Sequence, residues 1–298
     1  MKIFLSILFH TLFYSVVFAQ LPNSVIYSAE IENPFDTVWR VSKIQFLSAQ
    51  NAKGYNNQPY FISEKEILIS SNKGDPSQTD IYYYDLKNKV EKQITHTTGH
   101  EYSPRVSPLY PGDLTVVFVP KDESNKQHLI RFSQEQADAI EAPVNLLDER
   151  TGKIGYYRHL HDKKWVCFLV DSPNVMAICE EGKVAKKIFA AEIGRSFEVV
   201  NKNEIVFVHK ILTDKWLLKK YNVNTGKAEI IIQMPNGIED FALLPNGAVI
   251  CATDSKILLA RQGKTNWNEV INFSSLGIKN INRISFLGKT MVFVSMLK

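Results

Sequence analysis

Residues 58–95 read QPYF-ISEK-EILISSN-KGDPSQ-TDIYYYDL-KNK-VEKQIT, four short strand-like runs separated by turns rich in Gly, Asp, Asn and Lys. A sheet of four short antiparallel strands is one blade of a β-propeller. Similar units return about every 40–50 residues, the spacing of such blades.

Each unit is centred on a run rich in Val, Ile and Phe: EILISS at 66–71, LTVVFV at 114–119, WVCFLV at 165–170, EIVFVHK at 204–210, AVICAT at 248–253 and TMVFVS at 290–295. Strands clasped between neighbouring blades are buried on both faces and carry this composition. Shorter inner runs precede them, as at Pro59–Ile62, Arg105–Val106, Phe197–Val200, Phe241–Leu244 and Ile281–Leu287. Third and fourth runs follow, for example at 80–86 and 90–95 or at 215–223 and 227–233, with hairpin turns such as Asn224-Thr225-Gly226 and Pro245-Asn246-Gly247 between strands. The last unit holds an inner pair only, and SVIYSAEI at 24–31 with VWRVSKIQFLS at 38–48 supplies an outer pair at the other end. The pattern predicts an all-β, six-bladed β-propeller of four-stranded blades, its ring closed by N-terminal outer strands pairing with C-terminal inner strands. A many-stranded sandwich would not recur as a four-run cycle with a closing pair at the far terminus.

The first residues place Lys2 before a mostly apolar run ending in Val17-Phe18-Ala19, the form of a secretory signal peptide spanning 1–19, cleaved after Ala19. Residues 20–298 then form one domain, periplasmic or secreted, with no integral membrane segment after cleavage. A formal charge of +4, with Lys and Glu interleaved along the chain, describes a solvated surface and excludes a nucleic-acid groove. Cys167, Cys179 and Cys251 all lie in apolar runs and read as buried free thiols, because an odd number cannot pair completely. In the hairpin turned at 171–174, pairing Val170 with Val175 sets Cys167 opposite Ile178 and points Cys179 to the other sheet face; a bridge would need a register slip of one.

Two strings go beyond β patterning. Ser70-Ser71-Asn72-Lys73-Gly74-Asp75, then Asp80-Ile81-Tyr82-Tyr83-Tyr84-Asp85-Leu86 and Gln93-Ile94-Thr95, resemble the TolB-type, WD-like propeller repeat. Glu101-Tyr102-Ser103-Pro104-Arg105-Val106-Ser107-Pro108 resembles that family's join between blades, and Tyr55–Phe61 resembles a second copy. The likeness covers about the first third of the mature chain and fades afterwards. It implies a periplasmic or secreted six-bladed propeller that serves as a binding platform. The same repeat builds the propeller of prolyl oligopeptidase-like enzymes, but no G-x-S-x-G nucleophile string occurs here.

Joins between blades converge around the central channel, so their polar residues meet although distant in sequence. They offer Tyr55, Asn57, His100, Glu101, Tyr102, Arg105, Tyr156, Tyr157, Arg158, Glu192, Arg195, Glu239, Asp240, Asn282 and Arg283. The narrower set of ligand-binding candidates at the channel mouth is Tyr55, Asn57, Glu101, Tyr102, Arg105, Tyr157, Arg158, Arg195, Glu239, Asp240 and Arg283. Mixed charges and hydroxyls suit a polar peptide or sugar, and the same residues equally read as solvated loops and ion pairs between blades. Glu101, Glu239, Asp240 and Asn282 could also imitate the Glu, Asn and Asp set that holds an axial divalent cation in six-bladed lactonases. His159 and His161 would share a strand face, without a Cys or carboxylate at a zinc spacing. The reading is therefore a monomeric binding or scaffold module for an envelope protein, peptide or glycan, with no cofactor and no catalysis. Its rival is a metal-dependent small-ester or lactone hydrolase, or a lyase, with an axial divalent ion.

Overall fold

The computed structural model describes residues 21–34, 39–123, 125–133 and 143–297. The signal peptide assigned to 1–19 lies outside them. Two strands open the described chain, β1 (Ser24–Glu32) and β2 (Arg40–Phe46). Blade 1 follows as β3 (Asn56–Ser63), β4 (Glu66–Ser71), β5 (Asp80–Asp85) and β6 (Val90–Gln93), and blade 2 as β7 (His100–Val106), β8 (Leu114–Val119), β9 (His128–Phe132) and β10 (Val144–Asn145). Blade 3 is β11 (Ile154–His161), β12 (Lys164–Leu169), β13 (Val175–Glu180) and β14 (Lys187–Ala191). Blade 4 is β15 (Ile193–Asn201), β16 (Glu204–Leu212), β17 (Lys215–Asn222) and β18 (Ala228–Gln233). Blade 5 is β19 (Phe241–Leu243), β20 (Val249–Thr253), β21 (Lys256–Ala260) and β22 (Asn268–Asn272), and the last strands are β23 (Ile281–Leu287) and β24 (Thr290–Met296).

Each of the six sheets has four antiparallel strands, and one of them runs β2-β1-β24-β23. This is the closing blade predicted from the sequence. Its seam is seven pairs long, from Ser24 opposite Met296 to Glu30 opposite Thr290.

Six hydrophobic clusters each fill one cleft between neighbouring blades. Alternation within the second strands explains how. On β12, Trp165, Cys167 and Leu169 pack toward blade 2, while Val166 and Phe168 pack toward blade 4. Such a strand has no solvent face, which is why its sequence is continuously apolar.

The hairpin register at β12 corrects one expectation. Leu169, not Val170, faces Val175, so Cys167 faces Ala177 and Cys179 faces Trp165. Both sulfurs are thus on one face of blade 3, because the turn takes up Val170. All three cysteines are free and buried, as read from the sequence. Tyr82 and Tyr84 are buried against the closing blade, and Tyr83 donates its hydroxyl to Glu66 at 2.6 Å, which leaves none of the three as a stacking platform.

Candidate functional site

The inner strands are not regular. Pairing skips from Asn57 to Tyr60 on β3, from Tyr102 to Arg105 on β7 and from Asn282 to Ser285 on β23, with one fewer residue on the partner strand each time. At the start of each bulge a non-glycine residue has left-handed backbone: Gln58 at φ 56°, Ser103 at φ 54° and Arg283 at φ 49°. Each such residue costs about 1 kcal/mol. Bulges bend a strand and re-aim its side chains, and all three of these residues line the central channel.

Arg283 uses this to cross the channel. It sits on the closing blade, opposite blade 3, where its Nη2 donates to the Tyr156 hydroxyl and its guanidinium stands 4.6 Å from the ring centroid. Asp240, before β19, anchors the strut by accepting from Arg195 Nη2 at 2.5 Å and Nε at 3.2 Å, with Arg283 Nη1 at 3.9 Å. Burial raises the Asp240 pKa, but Arg283 and Arg195 outweigh it and hold the carboxyl below its ordinary value. Glu239 receives Arg195 Nε at 3.3 Å and Lys210 Nζ at 2.8 Å. Side chains from blades 3, 4, 5 and the closing blade are thereby tied into one floor.

That floor divides the channel. Above it, on the face of the joins, a recess of about 420 Å³ is walled by Tyr55, Tyr102, Phe168, Val170, Lys210 and Glu239. Tyr55 and Tyr102 meet edge to face with centroids 6.1 Å apart. Below it, a chamber of about 790 Å³ opens between the inner hairpins at Leu244–Gly247 and Leu287–Gly288. Gln58, Tyr156 and Arg195 line both spaces.

In the lower chamber Arg158 grips Glu198 through Nε at 3.1 Å and Nη2 at 2.9 Å, and its Nη1 donates to the Tyr157 carbonyl. Burial raises the Glu198 pKa, but Arg158 prevails and keeps the carboxyl ionised. Arg105 lies 4.8 Å over the Tyr60 ring. Its Nε is buried and bonds nothing. Burial, then the neighbouring charge of Arg158, lowers its pKa to about 10, so it stays cationic at neutral pH.

The sequence candidates separate by depth. Tyr55, Tyr102, Arg195 and Glu239 line the upper recess, whereas Arg105, Arg158 and Arg283 line the chamber on the opposite face. Inner strands run from one face to the other, so residues past the bulge leave the mouth. Asn57 and Asp240 are buried behind the channel wall. Tyr157 alternates away from Tyr156 and Arg158; its hydroxyl donates to Thr115 Oγ1 at 2.9 Å or to the Ser103 carbonyl at 3.0 Å, both between blades. Glu101 is fully buried between blades 1 and 2, where it accepts from Thr95 Oγ1 at 3.2 Å and from Thr97 Oγ1, beside the carboxyl of Asp80. Several channel residues were not among the candidates, including Gln58, Tyr60, Ser103, Glu198 and Lys210. Gln58 stands inside the join string, and Glu198 interrupts the apolar run Phe197–Val200, a signal that alternation could have flagged.

Among the described residues no three His, Cys, Asp or Glu side chains are grouped to hold a metal ion. Glu239 and Asp240 face guanidinium and ammonium groups instead. A bulge separates His159 from His161; His159 contacts the Asp162 carbonyl and His161 the Asp162 carboxylate, so they do not form a shared site. No helix among the described residues is long and apolar enough to cross a membrane.

Neither a known family nor a curated protein matches the sequence. Solved structures do match in shape. TolB from Acinetobacter baumannii is similar at a TM-score of 0.55 and 13% identity, over 93% of this chain and 64% of that one, so this chain spans under two thirds of that protein. The putative TolB from Agrobacterium tumefaciens gives 0.64 and 11%, over 93% and 99% of the two chains. YCF48 bound to D1 peptide gives 0.51 and 11%, over 88% and 84%. Blade count, blade topology and these likenesses agree that this chain has a TolB-like six-bladed β-propeller fold.

Proposed function

We propose that the protein is exported and acts as a non-catalytic binding module, taking an envelope protein, peptide or glycan at the upper recess. The observation that carries this reading is the recess itself: a concave, aromatic-walled space over a floor held by cross-blade ion pairs. Tyr and Arg at a preorganised concavity supply contact area at small entropic cost. The acids of that floor are engaged by Arg195, Lys210 and Arg283, which supports binding over hydrolysis or elimination at an axial divalent cation. One propeller of similar fold was solved with a peptide bound. Export rests on Lys2 and the apolar run closed by Ala19.

A photoreactive amino acid at Val170, exposed on the recess wall, tests the reading against one at Ile188, exposed on outer strand β14. Irradiation in intact cells should give a discrete adduct from position 170 and none from 188. Adducts of equal yield at both positions, or none from 170, would refute the recess as the binding face.

A further inference from the structure

The lower chamber is a separate space, on the face away from the joins and beneath the Tyr156–Arg283 strut. Its cations are matched to carboxylates with one exception. Arg158 holds Glu198, Lys220 holds Glu204 at 3.2 Å, and Arg195 and Arg283 share Asp240. Arg105 has no carboxylate partner among the described residues. Its terminal nitrogens bond nothing there either, and the side chain lines the open chamber. The guanidinium stands over the Tyr60 ring, a cation–π contact that restrains its position in advance of any ligand.

We propose that this chamber binds a small organic monocarboxylate with an apolar body, its carboxylate received end-on by the two terminal nitrogens of Arg105. A monoanion gives Arg105 the single carboxylate that Arg158 has in Glu198 and Lys220 in Glu204. A dianionic phosphate would leave surplus negative charge beside Glu198, whose Oε1 lies 2.9 Å from Arg158 Nη2. The apolar body has matching walls in Val199, Leu243, Ile284 and Phe286. A volume of about 790 Å³ accommodates a small molecule. This site is independent of the upper recess, and either can fail without the other.

The purified full chain is titrated calorimetrically with 4-phenylbutyrate, its neutral amide 4-phenylbutyramide, and phenyl phosphate. The acid should bind saturably at one site, with the amide and the phosphate weaker by roughly tenfold or more, the range of a charge-assisted hydrogen-bond pair. Arg105→Gln should lose the same factor for the acid while leaving cross-linking from position 170 unchanged. On the unmutated chain, phenylglyoxal should modify Arg105, mapped by mass spectrometry, and the acid but not the amide should protect it; this readout holds even where Arg105→Gln folds poorly. Equal binding of acid and amide, undiminished binding by Arg105→Gln, protection at a different arginine, or no saturable binding at millimolar concentration would each overturn the proposal. Tighter binding of phenyl phosphate would overturn the assignment to a carboxylate.

Discussion

Glu101 is a carboxyl that water does not reach, held by two threonines beside a second carboxyl, Asp80. Burial raises its pKa to about 9, and the Asp80 charge adds to the rise. Asp80 is raised by burial as well, with Gln93 Nε2 and Gln78 Nε2 donating to it at 2.9 and 3.1 Å. Between the ordinary glutamate range and about pH 9 the folded chain holds a proton that the unfolded chain has released, so stability falls as pH rises through that window. Glu101→Gln supplies a permanent donor to Asp80. It should flatten the pH profile and leave the variant about 1–2 kcal/mol more stable than the parent at pH 9. Denaturant melts at pH 5 and pH 9 check this, and an unchanged slope between the two would show that Glu101 is not the titrating group.

At the scale of the strand, burial on both faces decides chemistry as well as packing. Cys167 and Cys179 share a face of blade 3, and the contact with Cys179, followed by burial, raises the Cys167 pKa. Burial does the same to Cys251 on β20. All three thiols should resist Ellman's reagent in the native protein and react together once guanidinium unfolds it. Rapid labelling of one thiol in native buffer would mean that the blade opens locally. The inner strands behave differently. Their bulges place Gln58, Ser103 and Arg283 in left-handed backbone, at a cost in stability, and in return the Gln58 and Arg283 side chains line the channel, while the Ser103 hydroxyl stays buried. No composition rule marks such a position, since none of the three is Gly or Asn.

For the molecule as a whole, β24 is the strand on which the ring depends. It pairs with β23 on one side and β1 on the other, and Met291, Val292, Phe293 and Val294 are fully buried. Their burial is worth roughly 6–12 kcal/mol together, comparable with the entire stability of about 5–15 kcal/mol expected for a native protein. A chain ending at Lys289 should therefore show no cooperative thermal transition by circular dichroism. A sharp transition within a few degrees of the parent would mean that the ring tolerates an open blade.

The chain's own pattern determined the architecture. Strand runs of the right length, four to a cycle, with an outer pair at one end and an inner pair at the other, are local signals, and β-propeller closure follows from counting them. The candidate site was legible only in part. Arg105, Arg158, Arg195 and Arg283 could be placed at the channel because inner strands must line it, yet their depth along it and their partners could not. Depth depends on bulges, and partners lie as far apart as Tyr156 and Arg283, 127 residues along the chain. Tertiary structure alone decided that Tyr157 and Glu101 turn inward between blades, that a strut divides the channel into two chambers, and that Arg105 meets no carboxylate among the described residues. The reason is physical: a repeat specifies which strands are neighbours, whereas the pairing of charges across a channel is settled by the ring once it has closed.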